Sequence, residues 1–153
     1  MSCLLRKVVL VLTCLCSPVI ADDGLYHQSV DVRNPGGKDL IMRLDEVARD
    51  DKTSTIKIVM ISGASVPSAL FIAEGVYNIV HKREKAYFIK LKEWQAEAHT
   101  TMMVVGFSDD ATVDPTTYFS LSEPLPAKNG YVFQPVKRYD LLFKRDSAKT
   151  NQK

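Results

Sequence analysis

The sequence predicts an α+β fold, a two-layer sandwich whose mixed, mostly antiparallel sheet carries its helices mainly on one face. Three observations predict it. Val66, Ala69, Leu70, Ala73, Val76, Tyr77 and Val80 recur at helical spacing between two strand-like segments. Segments 86–94 (AYFIKLKEW) and 101–107 (TMMVVGF) read as strands joined by a short polar connector, which suits an antiparallel hairpin. A second helical spacing, Leu40, Ile41, Leu44, Val47 and Ala48, comes earlier in the chain.

The first 21 residues read as an export signal. Arg6 and Lys7 form a basic start, and residues 8–16 form an apolar stretch too short to cross a bilayer as a helix. Pro18 then breaks the helix, and Val19 and Ala21 stand at the −3 and −1 positions of a small-residue cleavage site before Asp22. A lipid anchor on Cys14 or Cys16 is disfavoured, because Thr13 and Leu15 suit the preceding position poorly. All three cysteines, Cys3, Cys14 and Cys16, lie in this leader, so the mature chain is expected to lack disulfides, thiolate nucleophiles and cysteine metal sites.

The leader also carries the net charge. Taking Arg6 and Lys7 from 20 basic residues leaves 18 against 18 acidic ones, so the mature chain is formally neutral. Its charge therefore gives no reason to expect nucleic-acid binding. No N-x-S/T sequon is present, which fits a bacterial periplasm or exterior. Residues 22–146 are expected to form a single domain, with no transmembrane segment.

Along that domain, residues 25–32 alternate loosely and read as a first strand, and 34–37 (NPGG) as a turn. The helical spacing then predicts a helix over 38–49. Residues 55–61 (TIKIVMI) are short, apolar and β-branched, which predicts a buried strand. The next helix starts with Ser65 as N-cap and Pro67 in its first turn, and runs to about Val80. Gly75 in its middle costs propensity and points to a close backbone approach. A right-handed crossover would make the strands before and after this helix parallel. After the hairpin, Asp114 and Pro115 predict the cap and first residue of a short helix reaching Leu121. A Pro-rich loop over 123–129, an Asn129-Gly130 turn, a short edge strand at 131–133 and a small helix around Tyr139, Leu142 and Phe143 complete the domain. Residues 147–153 read as a disordered tail.

Three sets of residues carry candidate chemistry. Gly63, Ala64 and Ser65 form a strand–turn–helix junction whose amides, with the helix dipole, would suit an anion. Ser65 there also resembles a nucleophile on a sharp turn, but Pro67 replaces the second glycine of that motif. Phe88, Lys90, Lys92 and Trp94 would make an aromatic, basic strand face for an interaction. Asp109, Asp110 and Asp114 gather after a strand and would suit a hard cation or acid–base work, although their spacing does not follow a calcium loop. His27, His81 and His99 are scattered without metal-ligand spacing. No catalytic set converges and no cofactor is called for. The expectation is thus an exported, non-catalytic binding module whose partner is a protein or an envelope component. The alternative is a small hydrolase or metal-dependent enzyme using Ser65 or the 109–114 loop. A small-ligand carrier would need a cavity between helix and sheet.

Overall fold

The computed structural model describes residues 24–128 and 131–143. The leader, the 129–130 turn and the 147–153 tail lie outside the described residues. Within them the chain is mostly β. Six strands form one antiparallel sheet: β1 (His27–Val32), β2 (Leu40–Arg49), β3 (Thr53–Ser62), β4 (Tyr87–Glu97), β5 (Thr100–Ser108) and β6 (Gln134–Pro135). Their order across the sheet is β1-β2-β3-β5-β4-β6, and every pairing is antiparallel. Three helices accompany them: α1 (Ser65–Lys82), α2 (Pro115–Tyr118) and α3 (Lys137–Phe143).

This overturns the expected α+β two-layer sandwich with a mixed sheet. The molecule is a curled half-barrel of antiparallel strands with only short helices beside it. The first cause is β2, where the sequence predicted a helix. Met42, Leu44 and Glu46 are buried and Arg43 is exposed, which is the alternation of a strand. A buried glutamate stands where that alternation calls for an apolar residue, so the period of two is hidden. Val47, which completed the helical spacing, is an extra residue at a register shift between Glu46 and Ala48 and is exposed.

The second cause is the crossover. β3 and β4 do run in the same direction, but β5 lies between them and pairs antiparallel with both. The hairpin strand fills the gap that a parallel pairing would have closed. The hairpin is also tighter than its polar connector implied. Glu97 pairs with Thr100, so only Ala98 and His99 form the turn, with His99 left-handed at φ 63°. The last edge strand falls at Gln134–Pro135 rather than 131–133.

Register shifts interrupt the β2–β3 pair near Ile41 and Val47, and the β4–β5 pair near Leu91 and Ala96. Each adds a residue to one strand, which bends it and increases its twist. These shifts give the sheet its curl.

One face of the sheet packs on α1. Met42, Leu44, Ile56, Ile58, Met103, Val105 and Phe107 meet Val76, Tyr77, Ile79 and Val80 in a single core. Gly75 is where α1 comes closest to β2. A Cβ there would lie 2.6 Å from Leu44 Cδ1 and 2.9 Å from Gln28 Nε2, so the close approach expected at this glycine is real. Gln28 Nε2 also donates to the Phe71 carbonyl at 2.7 Å. The opposite face, at β4 and β5, is covered by residues following β5. Phe119 lies over Gly106, where a Cβ would approach its ring to 2.5 Å.

A polar network fastens the C-terminal end of α1 to the β2–β3 hairpin. The Glu46 carboxylate is fully enclosed and accepts from Arg49 Nε at 2.8 Å, Ser54 Oγ at 2.5 Å and the Tyr26 amide at 3.0 Å. Burial pushes this carboxyl up, but the donation from Arg49, Ser54 and Tyr26 outweighs it and holds it below the ordinary glutamate value. Arg83, just beyond α1, donates to Ser54 Oγ at 3.2 Å and to the Thr53 carbonyl at 3.3 Å. Its guanidinium carbon stands 4.6 Å from the Phe107 ring centroid. Burial, with the nearby Arg49 charge, holds the Arg83 guanidinium below its ordinary value.

Candidate binding cleft

α1 lies along β2 and packs its core side chains as far as β5, so that the strip of the same face toward β4 lies at its margin. A cleft of about 760 Å³ occupies this strip. Val76 of α1 contributes one wall. Phe88 of β4, with Met103 and Val105 of β5, forms the floor, and Lys90 of β4 stands at its margin. Gln134 of β6 and Arg138, Tyr139 and Leu142 of α3 form the other wall. The volume lies within the range of small-molecule sites.

The far wall is held by α3. The Tyr77 hydroxyl donates to Asp140 Oδ1 at 2.9 Å, and His81 Nε2 lies 2.8 Å from the same hydroxyl. Burial first, and then the bond to Asp140, pushes the Tyr77 phenol up, so it stays protonated as a donor. Phe143 packs 5.5 Å from the Tyr77 ring, and Tyr139 packs 5.5 Å from Phe88, centroid to centroid. These contacts tie α3 to α1 at one end and to β4 at the other.

Two cations line the cleft. Lys90 is half-buried, donates to Glu93 Oε2 at 2.5 Å and stands 4.8 Å from the Tyr131 ring centroid. Arg138 is exposed and makes no ion pair with any carboxylate among the described residues. Glu93 flanks Lys90, but among the described residues no acidic side chain lines the cleft itself. The arrangement is an apolar floor with hydrogen-bond donors at its margin.

The interaction face expected from Phe88, Lys90, Lys92 and Trp94 is divided. Phe88 and Lys90 pair with Phe107 and Val105 and share their helix-side face. The register shift at Leu91 then turns the strand over. Lys92 and Trp94 pair with Val104 and Met102 on the opposite face, where Lys92 Nζ lies 5.1 Å from the Trp94 ring centroid. Strict alternation placed all four together, and one extra residue parts them. Of the four, Phe88 and Lys90 belong to the cleft.

Gly63, Ala64 and Ser65 do precede a helix, but Ser65 does not cap it. Ala64 is the N-cap, without a side-chain cap bond. Pro67 has no N–H, and the Ser68 amide is already bonded to the Ala64 carbonyl at 3.0 Å, so the Ser65 and Val66 amides are what remains for an anion. His81 lies sixteen positions along the same helix, roughly 24 Å away at 1.5 Å per residue, beyond reach of the Ser65 hydroxyl.

Asp109, Asp110 and Asp114 are each engaged separately. Asp109 pairs with Lys85 at 2.7 Å, which draws its carboxyl below the ordinary range. Asp110 accepts from the Thr112 hydroxyl and amide at 2.7 and 2.8 Å, which lowers it too. Asp114 accepts from the Thr117 amide and hydroxyl as the cap of α2, as the sequence predicted for that position, and is lowered by those bonds. Among the described residues no group of three His, Cys, Asp or Glu side chains is placed to hold a metal ion. His27 pairs with Asp45.

The sequence reading missed Val76, Met103, Val105, Gln134, Arg138, Tyr139 and Leu142 as site residues. The apolar ones carry an ordinary core signal. Arg138 offered one cue, a cation in the first turn of a helix, where the helix dipole disfavours it.

Comparison with protein-family models, with curated proteins and with solved structures finds no match for this chain. Among the described residues no helix is long and apolar enough to cross a membrane. The chemistry of the cleft follows from its own atoms.

Proposed function

We propose that this is an exported, non-catalytic binding protein of the periplasm or exterior, and that it binds through the cleft between α1, α3 and the β4–β5 strip. The observation that carries the reading is the cleft of about 760 Å³, apolar on its floor and donor-bearing at its margin. It supplies the cavity between helix and sheet that a small-ligand carrier requires. Of the partners open to such a module, a small molecule or the chain of an envelope component fits a concave apolar site better than a flat protein surface does. The polar groups elsewhere do structural work. Glu46, Arg49, Ser54 and Arg83 tie α1 to the β2–β3 hairpin, and the three aspartates serve their own loops and pairs. That distribution favours binding over the hydrolase or metal-enzyme alternative.

The test compares the wild-type protein with Leu142→Trp. Leu142 is exposed at the cleft margin, so the larger ring narrows the site without disturbing the core. Both proteins are purified under native conditions from the compartment they are exported to. Organic extracts of each are compared by mass spectrometry. A compound carried by the wild type and depleted in Leu142→Trp supports the reading. Identical extracts, or none with bound material, would overturn it.

A further inference from the structure

Resting on that reading, we infer that the cleft takes an amphipathic anion: a molecule with an apolar chain and a single carboxylate or phosphate head. The argument is charge complementarity on an apolar floor. Lys90 and Arg138 both line the cleft, one on β4 and one on α3, and among the described residues no carboxylate lines it. Lys90 has Glu93 beside it, while Arg138 has no acidic partner among the described residues. Among the described residues the pair therefore carries one uncompensated positive charge. Lys90 and Arg138 offer donors only, and the Gln134 amide and Tyr139 hydroxyl can add to them. A guanidinium and an ammonium together suit an oxyanion, which gains charge-assisted bonds shorter and stronger than neutral ones.

The remainder of the lining decides the other end of the ligand. Val76, Phe88, Met103 and Val105 offer no hydrogen bonds, so polar groups of a ligand lying against them would go unpaired. An alkyl or aryl chain loses nothing there. Leu142, which is 66% exposed, would be covered by such a chain and would add to its burial. A cationic amphiphile would meet Lys90 and Arg138 without a carboxylate to receive it. A small inorganic anion would leave Leu142 uncovered.

The experiment is isothermal titration calorimetry of the full exported protein with four twelve-carbon probes, each below its micelle concentration or, for the alcohol, its solubility limit. The probes are dodecanoate, dodecyl phosphate, dodecanol and dodecyltrimethylammonium. At least one of the two anions is expected to bind tenfold or more tightly than dodecanol, and the cation not to bind. A preference between the two anions tells a carboxylate ligand from a phosphate one. Arg138→Gln and Lys90→Gln are each expected to weaken the anion about tenfold, in line with the loss of one charge-assisted bond. Both should leave dodecanol binding unchanged. Leu142→Glu, at an exposed position that the core does not depend on, should abolish anion binding while keeping the wild-type circular dichroism spectrum. Equal affinity for dodecanol and the anions would overturn the inference while leaving the cleft a binding site. So would binding of the cation, or full anion affinity in the Arg138→Gln/Lys90→Gln double variant. If no probe binds, the inference fails, and the extract comparison still decides whether the cleft carries a ligand of another class.

Discussion

Replacing Glu46 tests how α1 is held on the sheet. Its carboxylate is fully enclosed while the Arg49 side chain keeps 30% of its surface in water. Glu46→Gln keeps the shape, but the new amide points a donor at groups that already donate: Arg49, Ser54 and the Tyr26 N–H. Breaking a buried pair by removing one partner costs about 3–5 kcal/mol, and because Arg49 can recover some hydration the lower end, about 3 kcal/mol, applies. With a urea slope of about 1.5 kcal/mol per molar for a domain of this size, the unfolding midpoint should fall by about 2 M. The pH dependence follows from the carboxyl's lowered position. A folded-state value below the ordinary 4.5 means that the contribution is complete above about that pH and is lost as pH falls through the folded value. The gap between wild type and Glu46→Gln should therefore stay constant from neutral pH down to about pH 5 and close below it. Urea titrations followed by far-UV circular dichroism measure both. A midpoint shift under about 0.3 M at neutral pH, or a gap that widens in acid, would show that the network does not hold the helix as argued.

Gly75→Ala should destabilise despite its gain in helix propensity. Crowding against Leu44 costs about 1–3 kcal/mol and propensity returns about 1, so the melting temperature should fall by about 4 °C; a rise would mean that Leu44 yields freely. His99→Gly should stabilise by about 0.5 kcal/mol, because glycine accepts the left-handed turn at less cost than histidine, and a chemical denaturation curve moving the other way would refute it. N-terminal sequencing and intact mass of the exported protein should place its first residue at Asp22; a chain retaining the leader would contradict the cleavage-site reading. Tyr77→Phe should loosen α3 and weaken whatever binds the cleft several-fold with little change in the urea midpoint, since its hydroxyl joins α3 to α1 rather than building the core; unchanged affinity would show that α3 does not depend on it.

Where the sequence was legible, local signals and tertiary contacts agreed. The β3 strand, α1, the β4–β5 hairpin, the Asp114 cap and the small closing helix all follow from period and capping chemistry. β2 was misread because two of its residues answer to tertiary structure. Glu46 is buried only because Arg49, Ser54 and Tyr26 surround it, and Val47 is exposed only because a register shift ejects it. No local pattern encodes either fact. The interaction face failed for the same reason. A period of two extrapolated across Leu91 gives one face, and the shift there gives two. Lys90 was legible as a candidate. Arg138 was not, because its place in the cleft wall is set by tertiary structure rather than by its neighbours along the chain.

The cleft and the stability network belong to one arrangement. Gly75 lets α1 settle on Leu44 of β2, and Arg83 fixes its C-terminal end over the β2–β3 hairpin. Because the helix is drawn to that half of the sheet, its core contacts reach β5 and the face beyond is left to the cleft. The crossover from β3 to β4 adds to this, for β5 is inserted beneath it and widens the face that one helix has to cover. α3, tied through Tyr77, Phe143 and Tyr139, walls one side of the strip and leaves Lys90 and Arg138 facing a common space. The close approach at Gly75 therefore does more than pack a helix: it sets how much of the sheet face α1 leaves to the cleft. Crowding that glycine should shift α1 toward β5, so Gly75→Ala should lower affinity at the cleft as well as stability, whereas a substitution confined to the opposite face, such as Trp94→Ala, should leave affinity unchanged.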